Sequence, residues 1–183
     1  MTAPPFPAAA IDAARDAAKA HLRIAGDDED ALIEGLAAAA LTLGEAFTGT
    51  AWIARERQET IAAADSWRRL ATAPATAITA VEGLPVEGAA FALAADAYQI
   101  DIDGNCEGWV RVTAPNTASR IRVTYGAGAA AGWGELPPPL AQGAVLLVAH
   151  LFEHRERDAV PPAAVAALWR PWRRMRLGAG RRR

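Results

Sequence analysis

The hydrophobic period of the chain changes twice, and this limits the folds open to it. Apolar residues recur at helical spacing from Ile11 to Phe47, alternate with polar ones in short runs from Trp52 to Tyr125, and return to helical spacing after Pro138. A period near 3.6 puts apolar side chains on one face of a helix, and a period of two puts them on one face of a strand. The pattern predicts a mainly α fold with an inserted small antiparallel β lobe (α+β): a helical bundle body plus an extended basic C-terminal arm. The expected divisions are N-terminal helices of the bundle over residues 1–50, the β lobe over 51–126, C-terminal helices of the bundle over 127–170, and the arm over 171–183. A chain of 183 residues suits one domain, or a helical body with one lobe, and is too short for a barrel or two-lobed enzyme.

Ile11, Ala14, Ala18 and Leu22 line one side of the first predicted helix, opposite Asp12, Arg15, Asp16 and Lys19, and Gly26 ends it. The second helix carries the stripe Leu32, Leu36, Ala39, Leu43, Phe47, which reads as its core face. Asp27, Asp28, Glu29 and Asp30 precede it; carboxylates there cap free N–H groups and favour the positive end of the helix dipole, so no cation is needed to explain them. The third helix is expected over about Pro138 to Arg155, since proline is tolerated in a first turn. Its apolar residues Leu140, Ala144, Val145, Leu147, Val148, Leu151 and Phe152 surround much of the cylinder, which places it in the centre of the bundle. A fourth helix begins at Pro161-Pro162, packs through Val165, Leu168 and Trp169, and is broken by Pro171.

In the middle of the chain Arg55, Arg57 and Glu59 alternate with Glu56, Gln58 and Thr60 in a polar, strand-like run. Ala77 to Val81, Ala89 to Leu93, Tyr98 to Ile102, Trp109 to Thr113 and Arg120 to Tyr125 are further strands, separated by turns at Leu84-Pro85, Asp103-Gly104-Asn105 and Pro115-Asn116. Ile121, Val123 and Tyr125 share one face of the last of them.

Nineteen basic and 21 acidic residues give a net charge of −2, which excludes a generic nucleic-acid coat but hides an asymmetry. No acid follows Asp158, while Arg170, Arg173, Arg174, Arg176, Arg181, Arg182 and Arg183 do; the remainder holds 12 basic and 21 acidic residues, a net −9. Basic tails of this kind dock on nucleic acid or on an acidic partner. The single cysteine, Cys106, excludes an internal disulfide framework and a multi-cysteine zinc site, and fits the cell interior. The first ten residues lack the basic and apolar regions of a signal peptide. The longest apolar run, Gly143 to Phe152, falls short of the roughly 18 residues that span a bilayer, so a soluble protein without a membrane partner is expected.

His150-Leu151-Phe152-Glu153-His154 matches the inverted zinc-peptidase pattern, in which two imidazoles one helical turn apart share a metal. The only acids beyond it, Glu156 and Asp158, are too near in sequence to fold back as a third ligand, so a zinc hydrolase stands as a remote alternative and a core or interface histidine pair is expected. Asp101-Ile102-Asp103-Gly104-Asn105 fails the calcium-loop register, because the glycine falls fourth and Val112 occupies the twelfth place. The Gly/Ala loop from Gly126 to Gly134 has no Gly-Lys-Ser/Thr, and Cys106 has no neighbouring cation in sequence to support a nucleophilic role. No catalytic set, resident metal or cofactor is predicted.

The motifs taken in order, "AKAHLRIAGDDEDALIEGLAAAA", "EAFTG" and a Trp, "IRVTYGAG", "LPPPLAQGAVLLVAHLFEHRE" and "PPAAVAALWRPWRRMRL", resemble the head-tail connector (adaptor) proteins of long-tailed phages and gene transfer agents, over roughly Ala18 to Leu177. The alanine-rich content, His154 and the terminal Arg181 to Arg183 depart from that pattern. The resemblance implies a structural protein without enzymatic activity. It implies a homo-oligomeric ring, commonly a dodecamer, beneath the portal protein, which extends the DNA channel, joins head to tail and receives a stopper or tail-completion protein. Double-stranded DNA would pass through without sequence-specific binding. The protein would assemble in the host cytoplasm and end in the neck of the virion or phage-like particle. Carried onto this sequence, Trp169, Trp172, Arg173, Arg174, Met175, Arg176 and Leu177, with Arg181, Arg182 and Arg183, form the portal-contact arm. Arg55, Arg57 and Glu59 are candidates for subunit or tail-side contacts. The alternative is a small DNA-binding module that uses the same arginine-rich arm, with a steep salt dependence.

Overall fold

The structure, a computed structural model, describes residues 4–154 and 161–174. The chain divides into two compact units: a β unit of Ala51–Gly132 with the segment ending at Pro7, and a helical unit of Ala8–Thr50 with the segment beginning at Trp133.

The helical unit contains α1 (Ala8–Leu22), α2 (Asp30–Thr48), α3 (Pro138–Glu153) and α4 (Ala163–Trp169), with 3-10 turns at Trp133–Glu135 and Arg170–Trp172. α3 is the central element: it touches α1, α2 and α4 and buries Leu140, Gly143, Ala144, Val145, Leu147, Val148 and Ala149. Its all-round apolar surface needs such a position. α1 turns Ala10, Ala14 and Ala18 inward, and small side chains let helix axes approach closely. Arg15 pairs with Glu34 and Asp30, and Lys19 with Asp30, tying α1 to the first turns of α2.

α2 is turned by one residue, about 100°, from its sequence expectation. Its buried residues are Ile33, Ala37, Ala40, Leu41, Gly44 and Thr48, whereas Leu32, Ala39 and Leu43 are exposed and Leu36 and Phe47 half-buried. The helix is apolar on both sides, so its periodicity alone does not select the side that packs against its neighbours. By length and composition α2 is apolar enough to cross a membrane, and only 33% of that stretch is buried. The acidic run before it makes no side-chain cap at the N-cap residue Glu29; Asp30 binds Lys19 and Arg15 instead. Gly49 closes the helix in the left-handed conformation (φ 67°), its N–H donating to the Glu45 carbonyl at 2.8 Å.

The β unit has two antiparallel sheets. Strands β1 (Arg55–Ala62), β7 (Ala118–Ala127), β3 (Ala75–Pro85) and β4 (Phe91–Ala92) form one in that order, and β2 (Arg68–Arg69), β6 (Gly108–Val112) and β5 (Tyr98–Ile102) form the other. β7 is the spine of the first sheet: Ile121 faces Ile61 of β1 and Gly83 of β3, and Tyr125 faces Arg57 and Ile78. Val81, Ile121, Val123 and Tyr125 of this sheet share a hydrophobic cluster with Val110 and Val112 of the other. Asp103 turns the β5–β6 hairpin, its carboxylate accepting the Asn105 and Glu107 N–H groups at 2.9 Å each.

The expected mainly α class is therefore corrected: of the described residues 38% are helical and 27% strand, and among them are four α-helices and two antiparallel sheets, so it is not a mainly helical bundle. Several strands are short, polar or alanine-rich and so carry little local signal. They gain stability from pairing partners far along the chain, such as Arg55 opposite Ala127.

Two glycines test the helical packing. A Cβ at Gly143 would lie 2.8 Å from Cδ1 of the buried Trp169 indole, whereas one at Gly35 would meet nothing within 4 Å. Gly143→Ala is expected to destabilise by about 1–3 kcal/mol through overpacking. Gly35→Ala is expected to stabilise by up to about 1 kcal/mol through lost backbone freedom in the unfolded chain. Urea unfolding followed by tryptophan fluorescence measures both.

Candidate functional site

The C-terminal segment is built onto the bundle through Trp169. Its side chain is 3% exposed, its Nε1–H donates to the Leu140 carbonyl at 3.2 Å, and its ring lies 5.9 Å from that of Phe47. Gly143 leaves the space the indole occupies. Proline at position 171 then ends α4 in a 3-10 turn. Trp172 is 42% exposed, the Arg173 guanidinium lies 5.3 Å from the centre of the Phe47 ring, and the Arg174 N–H donates to the Thr48 carbonyl at 2.8 Å. The ten arm residues named from sequence thus differ in place: Trp169 is a core anchor, Trp172 and Arg173 are exposed, and Arg174 is half-buried at the end of α2. Met175, Arg176, Leu177, Arg181, Arg182 and Arg183 lie outside the described residues.

Beside this segment an apolar groove of about 360 Å³ is lined by Leu43, Phe47, Leu147, Pro162, Val165 and Trp169, among others. The periodicity of α2 places Leu43 and Phe47 inward, so this groove is not legible in the sequence: their spacing is, their facing is not.

On β1, Arg57 and Glu59 point into the β unit, at 9% and 8% exposure, and Glu56, Gln58 and Thr60 point out. The Glu59 carboxylate accepts the Ala71 N–H at 2.7 Å and the Tyr125 hydroxyl at 3.2 Å. Burial holds the Tyr125 phenol above its ordinary pKa against hydrogen bonding with Thr72, and the nearby Glu59 charge adds to the rise. Arg55 donates from Nε to the Pro4 carbonyl at 3.1 Å, and its guanidinium lies 4.1 Å from the Phe6 ring centre, so it clasps the N-terminal segment. Arg55 and Glu59 are engaged within their own unit, Arg57 is buried beside them on the inward face of the strand, and the polar surface of this strand belongs to the alternate residues.

The two histidines of the His-x-x-Glu-His pattern stack with ring centres 4.4 Å apart at the end of α3, and His154 Nδ1 lies 2.9 Å from the His150 carbonyl, to which it donates. Among the described residues no group of three His, Cys, Asp or Glu side chains could hold a metal; Glu156 and Asp158 lie outside them. Cys106 is exposed on the hairpin loop.

No protein-family model matches the chain, and no curated protein does. Solved structures do. Over 99% of its length it is similar to a chain in the neck of an empty GTA particle, computed with C6 symmetry (25% identity, TM-score 0.78, all of that chain covered). Also over 99%, it is similar to one in the neck of a native GTA particle, computed with C12 symmetry (28% identity, TM-score 0.74, all of that chain covered). A chain in the virion of a native gene transfer agent (GTA) particle is 27% identical with a TM-score of 0.71, over 98% of this chain and 99% of that one. The resemblance carried by the order of the sequence motifs therefore holds across the whole fold.

Trp169→Ala is expected to cost about 3–5 kcal/mol of stability, while Trp172→Ala changes it by less than about 0.5 kcal/mol; chemical denaturation separates the two. The raised Tyr125 pKa stabilises the fold at pH values below the ordinary phenol value, and that stability is lost as pH rises through the folded value. Tyr125→Phe should accordingly flatten the fall in melting temperature above about pH 10.

Proposed function

We propose that this protein is a structural neck component of a phage-like particle, one subunit of a ring that joins the head to the tail. The observation that carries the reading is the full-length similarity to neck chains of gene transfer agent particles, at 25–28% identity and TM-scores of 0.71–0.78. Those necks were computed with C6 and C12 symmetry, which supports a rotationally repeated assembly for this chain as well.

The finer roles rest on charge and placement. In this reading the portal is the partner of the C-terminal segment. Trp172, Arg173 and the arginines beyond Arg174 form the docking arm, because tryptophan and arginine are favoured interface anchors and this stretch of chain carries no acid. Trp169 holds the arm's base in register without meeting the partner itself. The rest of the chain, with its net −9, lines a channel through which DNA slides, since like charge keeps phosphate from sticking. The outward residues of β1, Glu56, Gln58 and Thr60, replace Arg57 and Glu59 as the candidates for subunit or tail-side contact.

Truncation after Arg174 removes the arginine-rich end while keeping the Arg174–Thr48 hydrogen bond. The shortened chain should keep its melting temperature and lose portal binding at least tenfold. Equal binding by both chains refutes the arm; a ring that forms on DNA and never on a portal refutes the neck assignment.

A further inference from the structure

We propose that the outward side of α2 is the surface on which a second copy of this chain packs in the ring; the inference rests on the ring reading above. Leu32, Gly35, Ala39, Leu43 and Ala46 recur at helical spacing on that side, all exposed, with Leu32 at 38% and Leu43 at 50%. Every exposed residue of α2 from Ala31 to Thr48 is uncharged. Thr42, the one polar side chain among them, turns its hydroxyl back onto the Ala38 carbonyl at 2.8 Å. The outward side of α1 is different: it carries Asp12 and Asp16, as a solvated helix does.

The shape suits a helix or loop from another molecule. The small residues Gly35 and Ala39 lie between Leu32 and Leu43 along the stripe, and a Cβ at Gly35 would meet nothing within 4 Å. Small residues at such a point let two backbones come close. At the C-terminal end of α2 the stripe runs into the apolar groove, through Leu43, Ala46 and Phe47. Only 33% of the apolar stretch of α2 is buried, and a contiguous exposed apolar face of this kind marks an interaction site.

The chain's own remaining segments do not have the composition to do so. Residues 155–160 read Arg-Glu-Arg-Asp-Ala-Val, and residues 175–183 hold Met175 and Leu177 as their only large apolar side chains beside four arginines. A second copy is the occupant that charge favours. Identical copies with an acidic remainder repel one another wherever charged faces meet, and this uncharged face is where they can approach without that penalty. Similar chains occur in necks computed with six- and twelvefold symmetry, where copies recur around an axis. A closed ring is made by head-to-tail contacts, so α2 of one copy meets a different face of the next.

The test uses full-length protein with a photo-cross-linking residue at Leu32 or at Leu43. Light and isotopically heavy protein are mixed in equal amounts, assembled with the portal, irradiated and mapped by mass spectrometry. Links joining light to heavy copies from both positions support the proposal. So does a loss of at least tenfold in ring yield for Leu43→Glu, provided circular dichroism shows the variant folded. Rings that form without such links, or that Leu43→Glu enters as readily as the unaltered chain, overturn the interface and leave the neck assignment standing. Links only to the portal, or flotation of the unaltered protein on phosphatidylcholine–phosphatidylglycerol vesicles in place of ring formation, also overturn it. Failure of the unaltered protein both to form rings and to bind the portal removes the neck assignment, and the interface with it.

Discussion

The Trp169 indole on Gly143 is the contact on which the helical unit and its C-terminal segment both depend. α4 has seven residues, too few to hold a helix by its own hydrogen bonds. It is held because one large aromatic ring enters the space that a missing side chain leaves on α3, with its N–H satisfied by the Leu140 carbonyl. From that point the chain is led past Phe47 to Thr48, where Arg174 completes a hydrogen bond at the end of α2. The path of the chain as far as Arg174 is thus set by packing deep in the bundle.

The β unit solves a different problem. A strand with alternating charges would ordinarily be a surface strand, yet β1 turns Arg57 and Glu59 inward. Burial of a carboxylate is tolerated when its lone pairs are used, and Glu59 accepts both the Ala71 N–H and the Tyr125 hydroxyl. The cluster also links β1 to β7 through side chains, in addition to the backbone ladder. This leaves the outward residues of β1 polar, suited to water or to a partner that binds through hydrogen bonds.

Charge and apolar surface are kept apart in this molecule. Its acids lie in the body, its terminal arginines follow the last acid, and α2 turns a charge-free side outward. Assembly proteins gain from such separation, because each surface then suits one kind of neighbour and rejects the others. The near-neutral total of −2 is the sum of these regions and describes none of them.

Much of the local structure was legible without coordinates. The span of α3, its start at the prolines and its central place follow from apolar residues all round one helix, and the inward face of β7 follows from Ile121, Val123 and Tyr125 at a period of two. The order of motifs also carried the likeness to neck proteins. Local pattern failed where it was symmetric: α2 is apolar on two sides, so periodicity could not say which faces in, and β1 is polar on two sides, so it could not say which is buried. The two-residue β2 is too short to show a period at all. The mainly α assignment failed for a related reason, since strand content is earned through partners many residues away. Sequence by itself determined where the chain is helical, where it alternates and where its charges gather, because these depend on neighbouring residues. Only the tertiary structure decided which faces are covered and which remain outside, because burial depends on what the rest of the chain brings within contact distance.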